Sequence, residues 1–532
     1  MDDSIGVKRH WIWQGAFVLI LAGVISKILS AVYRVPFQNI VGDVGFYIYQ
    51  QVYPFLGIAV MLSTSGFPVI ISKLMNDYSE KSHHTILKIA AVFLSLIGVL
   101  LFLCLYFGAV PIAFFMGDSH LAVLIQVTAY AFLLFPLVAL LRGGFQGRQD
   151  MLPSALSQMT EQFLRVAVLL SLSFWLVKKG ASLYTAGAAA ASGSLAGSCV
   201  ALLILAVFWF KAKRDNQTDW KNENVITTKE LAKKLLLYSV TICVSSLLLL
   251  FIQLVDALNL YALLSGGEAS EEAKRLKGIY DRGQPLLQLG SVFAVSIATS
   301  LVPYISKAVK NNELRIIKEK ATSSLKLCFV LGAGASAGLI CILEPVNIML
   351  FQNGEGTAAL QVFSCSILFA SLAVTSAAVL QGAGHTVFPA VAVGAGVAVK
   401  WVLNTLLVPR YGIEGASLAT AASFAAVAGL NLYQLRKKEW LNKLRGVLIR
   451  VVGSSLFMSA VLLAYRRLWT FLFPASGRGA AVIESISAVA IGGAVFIYCM
   501  MRLGIFTDEE LNSVPFGNRL SKIIRRRGRD GG

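Results

Sequence analysis

Apolar residues fall along this chain in long runs, broken at intervals by short polar clusters. The stretches 86–107, 121–141, 163–177 and 235–254 are nearly free of charge and show no strict alternation. A helix rises about 1.5 Å per residue, so roughly 20 apolar residues cross a hydrocarbon core about 30 Å thick. In lipid every backbone amide must bond inside the structure, which turns such runs into helices. The ten-residue alternating pattern of an outer-membrane barrel is absent. The runs predict an all-α polytopic membrane protein of about fourteen transmembrane helices, near 12–34, 46–72, 89–108, 120–141, 153–177, 183–210, 235–256, 279–306, 321–343, 357–380, 388–408, 414–435, 447–465 and 482–501. The first run is too long for a signal-peptide core and lacks a small-residue cleavage site, so it is expected to remain as the first span.

Composition strengthens this picture. Of 532 residues, 56% are hydrophobic and 14% charged, and the mean hydropathy is +0.70. A soluble domain carries nearly twice that share of charge. The seven cysteines lie scattered in apolar runs without a CxxC pair, and read as small core residues. A net charge of +19 would suit nucleic acid if the basic residues clustered on one face, but they follow topology instead. With an even number of crossings both termini share a side, expected to be the cytoplasm. Most Lys and Arg then fall in cytoplasmic segments such as Lys211–Lys234, Lys307–Lys320 and Arg436–Arg445, which is the positive-inside bias. No nucleic-acid partner is expected. The tail Arg525–Arg529 reads as a topogenic signal, with contact to anionic lipid headgroups as the alternative.

The sequence also repeats itself. Gly180-Ala-Ser-Leu-Tyr-Thr-Ala186 returns as Gly415-Ala-Ser-Leu-Ala-Thr-Ala421, 235 positions later (415 − 180). The same offset joins Ser65 to Ser300, Pro68 to Pro303, Ile70 to Ile305, Gln146-Gly147 to Gln381-Gly382, and Arg165 to Lys400. The expected organisation is an N-lobe at 1–215 (spans 1–6), a C-lobe at 216–445 (spans 7–12), and 446–532 holding spans 13 and 14 with a basic cytoplasmic tail. Lys211–Lys234 is the natural linker. Six spans are an even number, so both copies enter from the same side, and carriers commonly hold substrate between such parallel halves.

Charge inside a span costs roughly 2.5–3.5 kcal/mol on insertion scales, so each instance needs a reason. Lys27 lies in the middle of span 1 and Arg34 closes it; Asp256 ends span 7; Asp281-Arg282 opens span 8; Arg165 and Lys400 are repeat partners in spans 5 and 11. Lys27, Arg34, Arg282 and Lys400 form a candidate cationic cavity for an anionic headgroup such as a pyrophosphate, because Arg offers a planar fork and Lys a compact charge. For Lys27, Arg34 and Arg282 the alternatives are pairing with Asp256 or Asp281, or snorkelling of Arg34 and Arg282 to the interface; Lys400 has no obvious local acid. Glu161, one turn before Arg165, is expected to pair with it. Asp256 and Asp281 are also candidates for binding a coupling proton or sodium ion. Pro54, Pro68, Pro285 and Pro303 predict bends in spans 2 and 8, and Gly334 with Gly338 a small-residue packing face. HExxH, GxSxG, P-loop and acidic metal motifs are absent, and the five histidines show no ligand spacing. No enzyme activity, cofactor or metal is expected.

Ser26-Lys-Ile-Leu29, Tyr33-Arg-Val-Pro36, Ser63-Thr-Ser-Gly66 with Pro68, Leu141-Arg-Gly-Gly-Phe-Gln-Gly-Arg-Gln-Asp150 and Asp281-Arg-Gly-Gln-Pro285 are motifs of one kind. They resemble the polysaccharide-transporter branch of the multidrug/oligosaccharidyl-lipid/polysaccharide (MOP) flippase superfamily, above all stage V sporulation protein B-like membrane proteins. The resemblance implies a V-shaped carrier of two six-helix lobes in the bacterial cytoplasmic membrane. It implies outward flipping of undecaprenyl-pyrophosphate-linked oligosaccharides or peptidoglycan precursors, with cell-envelope synthesis enzymes as potential partners. Lipid II flippases of the superfamily use basic residues in spans 1 and 8, where Lys27, Arg34 and Arg282 lie here. A monomer is expected, since each chain holds both lobes. Rival readings are a multidrug cation antiporter, which would want buried acids, a membrane glycosyltransferase, and a non-transporting partner of a cell-envelope synthase.

Overall fold

Serine and threonine clusters and two glycines, more than the prolines, decide where the helices of this chain bend. The structure, a computed structural model, describes residues 18–19, 21–79, 82–215, 228–442, 445–473 and 477–505. The start of the first expected span, the middle of Lys211–Lys234 and the tail with Arg525–Arg529 lie outside the described residues. The N-terminal helices are α1 (21–32), α2 (Arg34–Met61), α3 (Phe67–Asp77), α4 (His83–Phe107), α5 (Ala109–Phe115), α6 (Ala122–Ala129), α7 (Ala131–Gly147), α8 (Leu152–Lys178) and α9 (Leu183–Asp215). They are followed by α10 (Thr228–Tyr238), α11 (Val244–Ser246), α12 (Leu248–Ser265), α13 (Glu271–Asp281), α14 (Gly283–Lys310), α15 (Leu314–Phe351), α16 (Thr357–Gly382), α17 (Val387–Lys437), α18 (Arg445–Leu472) and α19 (Arg478–Arg502). No strand occurs among the described residues.

Among the described residues twelve segments are long and apolar enough to cross a membrane, but two of them, Leu21–Asp77 and Val387–Lys437, run to 57 and 51 residues. Each doubles back. The hydroxyls of Tyr33 and Tyr49 lie 3.0 Å apart, whereas a straight helix would separate residues 16 apart by about 24 Å. The reversal falls at Gly42, with φ 70° and ψ −177°. In α17 the Lys400 Nζ reaches Thr420 Oγ1 at 2.6 Å, with the reversal at Gly412, φ 53° and ψ −135°. The twelve segments therefore make fourteen crossings. Both backbone conformations lie in the positive-φ region that side chains avoid. Gly42→Ala and Gly412→Ala should each lower stability by about 1–3 kcal/mol, even though an added Cβ meets nothing within 4 Å. Melting of the detergent-purified variants checks this; unchanged melting would mean that backbone freedom does not fix the bend.

The prolines bend less than expected. Pro68 sits in the first turn of α3 and Pro285 in that of α14, where no intrahelical N–H is needed. Pro54 lies within α2 without non-helical dihedrals of its own. The irregular turns are instead π-helical, at Leu62–Gly66 and Ser239–Cys243. Ser63 and Thr64 both donate to the Val60 carbonyl, at 2.9 and 2.8 Å. Ser239, Thr241, Ser245 and Ser246 donate to carbonyls four residues back. Such bonds compete with the backbone ladder and loosen the turn.

By packing, the chain falls into two units, Met1–Val292 with His385–Val427, and Phe293–Gly384 with Ala428–Gly532. The first has a core that takes in Phe46, Ile48, Val52 and Leu56 of α2, Ile86 and Leu94 of α4 and Ile125 of α6. Helix α4 buries Ala90, Leu94 and Gly98 but exposes Val92, Leu96 and Phe107, an apolar outer face suited to lipid. The second unit joins Val330 and Ala333 of α15 to Val451 of α18 and Met500 of α19. Gly334 receives the Phe496 ring there and Gly338 the Met458 methyl. Arg466 of α18 ties three helices, meeting Glu344 at 2.8 Å, Glu484 at 3.3 Å and the Cys341 carbonyl at 3.0 Å. All seven cysteines are free; Cys104 and Cys199 are exposed instead of in the core. The outer face of a membrane helix is as apolar as the core, so hydrophobicity does not separate the two.

Candidate substrate site

The membrane-embedded charges of the first unit sort into paired and unpaired sets. Four bases meet carboxylates. Arg142 of α7 places Nη2 2.8 Å from Glu161 Oε2 of α8, Nε 3.0 Å from Ser157 Oγ, and Nη1 3.2 Å from the Ser63 carbonyl of the first π turn. The other Glu161 oxygen accepts from Ser198 of α9 at 3.0 Å. Arg282 forks onto Asp43, Nε to Oδ1 at 3.0 Å and Nη2 to Oδ2 at 2.7 Å, and Gln38 also donates to Asp43, at 2.8 Å. The backbone approaches closely here, since a Cβ on Gly278 would lie 2.1 Å from the Asp43 carbonyl oxygen. Lys277 contacts both oxygens of Asp281 at 2.7 Å. Lys400 lies 2.7 Å from Asp256 Oδ1.

Arg34, Arg165 and Lys27 make no ion pair with a carboxylate among the described residues. Both guanidiniums are buried, at 2% exposure, and aromatic rings surround them. Arg34 lies 4.2 Å from the centroid of the Tyr53 ring. Arg165 lies 5.5 Å from that ring and 5.9 Å from Tyr33, and its Nη2 is 3.4 Å from the Tyr49 hydroxyl. The Nε groups of both arginines lack a protein partner, as do both ends of the buried Gln50 and Gln51 amides and the Gln162 Oε1. Buried polar groups are nearly always satisfied; the orphaned Nε donors of two carboxylate-free guanidiniums are suited to an anion rich in oxygen. Lys27 precedes Arg34 by seven residues, two turns along the same face.

The arrangement corrects several expectations. Glu161 does not pair with Arg165; Arg142 of α7 takes its carboxylate, at 2.8 Å. Arg282 and Lys400, expected among the cavity bases, are enclosed at 0% exposure and neutralised by Asp43 and Asp256. Asp281 is held by Lys277. Sequence reasoning missed Asp43, Arg142, Lys277 and the tyrosines Tyr33, Tyr49 and Tyr53. An acid or base within an apolar region was signal enough for the first three, whereas tyrosines read as apolar.

These features fit a known family of membrane carriers. The chain belongs to the polysaccharide biosynthesis protein family, whose sequence profile matches residues 12–309, within the polysaccharide-transporter branch of the MOP flippase superfamily. It is 91% identical to the membrane protein YabM of Bacillus subtilis (strain 168) over the full length of both chains. From the same strain, the lipid II flippase MurJ is 27% identical across 96% of this chain and 98% of its own. Stage V sporulation protein B, also of that strain, is 25% identical across 96% and 99%. The solved inward closed conformation of lipid II flippase MurJ shares the fold, with a TM-score of 0.63 at 16% identity over 92% of this chain and 97% of that one. The chain is thus a multi-pass membrane protein from a family of transporters, not of enzymes.

Proposed function

We propose that this chain flips a lipid-linked glycan, an undecaprenyl-pyrophosphate oligosaccharide or peptidoglycan precursor, from the inner to the outer leaflet of the bacterial cytoplasmic membrane. The observation that carries the reading is the pair of buried, carboxylate-free guanidiniums, Arg34 and Arg165, within the Tyr33, Tyr49 and Tyr53 rings. A pyrophosphate would supply the missing countercharge, and its oxygens would accept from the orphaned N–H groups. Lys27 extends the positive face. The four membrane acids of this unit, Asp43, Glu161, Asp256 and Asp281, already hold bases. Buried Asp118 is held by the Tyr47 and Tyr184 hydroxyls, so each buried acid among the described residues of the unit is engaged, which argues against the antiporter reading. Two relatives that bear the name of lipid II flippase point the same way.

Alternating access of the halves at 1–215 and 216–445 moves the headgroup, while the polyprenyl tail stays in lipid. Both termini face the cytoplasm. An inside-negative potential favours outward movement of an anionic headgroup by roughly 2.3 kcal/mol per charge per 100 mV, and favours inward return of the empty positive site. The chain works as a monomer in this scheme. Purified protein in liposomes with a fluorescent polyprenyl-pyrophosphate disaccharide tests it, with an impermeant quencher reporting leaflet exchange. Exchange above that of empty liposomes, faster with the potential imposed, is expected. Exchange no faster than in empty liposomes refutes the cargo, and exchange indifferent to potential refutes the electrical drive.

A further inference from the structure

The enclosed network around Lys400 has the make-up of a cation site whose cation is attached to the chain. Four oxygens lie within 3.3 Å of Nζ. They are Asp256 Oδ1 at 2.7 Å, Thr420 Oγ1 at 2.6 Å, the Ala416 carbonyl at 2.9 Å and the Tyr280 hydroxyl at 3.3 Å. They come from α12, α13 and the limb of α17 beyond Gly412, while Lys400 comes from the limb before it. A carboxylate, a main-chain carbonyl and hydroxyls are the donors from which proteins build sites for hard cations, sodium included.

A second layer holds the first in place. Tyr280 donates to Asp256 Oδ2 at 2.7 Å. Asn404 donates to Asp256 Oδ1 and to Asn259 Oδ1, both at 2.9 Å. Asp256, Tyr280, Lys400 and Asn404 are 0% exposed, and Thr420 is 1% exposed. The neighbouring Lys277 is held differently, straddling the two oxygens of one carboxylate. The cage at Lys400 surrounds its charge with oxygens from four separate residues.

We propose that the Lys400 ammonium is a covalently tethered substitute for a monovalent cation, and that the protein therefore neither binds sodium at this cage nor needs a sodium gradient to work. A tethered charge neutralises Asp256 in every conformation and at every ion concentration; a mobile ion does so only when bound. Removing the ammonium while keeping the cage should convert a sodium-independent protein into one that depends on sodium for its stability.

The test compares wild type, Lys400→Ser, Lys400→Ala and the double variant Lys400→Met/Asp256→Asn, all full-length in nanodiscs. Melting and radioactive sodium binding are read in sodium chloride against N-methylglucamine chloride at equal ionic strength. Wild type should bind no sodium and melt alike in both salts. The two single variants should bind sodium saturably and melt about 5 °C higher in sodium chloride. The double variant, which has lost the carboxylate, should ignore the salt. Saturable sodium binding by wild type overturns the proposal, as does a folded single variant indifferent to sodium. Failure of both single variants to fold even in sodium also overturns it, because a cage shaped for a cation must accept one. None of these readings depends on what the protein transports, so they stand or fall separately from the flipping assay.

Discussion

Arg165→Met is expected to slow flipping by roughly 100-fold and, in the same preparation, to raise the melting temperature. The two effects share one cause. Arg165 is buried without a carboxylate, and its polar contact with Tyr49, at 3.4 Å, is long. A buried charge without a partner carries a desolvation penalty of several kcal/mol, and methionine fills a similar volume without it. The empty carrier should therefore become more stable. Transport loses a charge-assisted contact to the headgroup worth about 2–3 kcal/mol, which translates into the expected rate change. Initial rates in liposomes and melting in detergent give the two numbers. A fall in both would make Arg165 a structural residue and move the anion site elsewhere.

Arg142→Ala should behave in the opposite way, with a loss of about 3–5 kcal/mol of stability. Arg142 holds Glu161, Ser157 and the Ser63 carbonyl at once. Its removal strands a carboxylate at 2% side-chain exposure and releases the carbonyl that steadies the first π turn. The double variant Arg142→Met/Glu161→Leu should recover most of the loss, since two apolar groups strand no charge. Thermal unfolding of wild type, Arg142→Met, Glu161→Leu and Arg142→Met/Glu161→Leu closes a double-mutant cycle. Equal damage in the single and double variants would assign the loss to packing and not to the ion pair.

The spans were legible in the sequence because lipid imposes a one-dimensional rule, a run of apolar residues of fixed length. Lys27, Arg34, Arg165, Asp256, Arg282 and Lys400 stood out for the same reason, since each violates that rule, whereas Asp43, Arg142 and Lys277 went unread. Which base meets which acid was not legible. Glu161 and Arg165 satisfy the local spacing for a pair, yet Arg142 on a different helix takes the carboxylate. Asp43 and Arg282 are 239 residues apart, and no local spacing links them. The bends were misread for a related reason. Proline announces itself, whereas Ser63-Thr64 and the Ser239–Ser246 cluster act through hydroxyl bonds that spacing alone does not disclose. Tyr33, Tyr49 and Tyr53 escaped notice because a ring looks the same in a core as around a guanidinium.

The π turn at Leu62–Gly66 also changes how the two halves of the chain must be aligned. A π turn holds one residue more than an α turn, and the corresponding stretch of α14 in the second half is uninterrupted α-helix. The 235-residue offset holds from the π turn onward, at Ser65, Pro68 and Ile70. Upstream of it Ile48-Tyr49 and Pro54 match Ile279-Tyr280 and Pro285 at an offset of 231, so the second half carries four residues more between the two sets and any comparison of the halves slips frame there. With that slip included, Tyr49 beside Arg165 and Tyr280 beside Lys400 become counterparts.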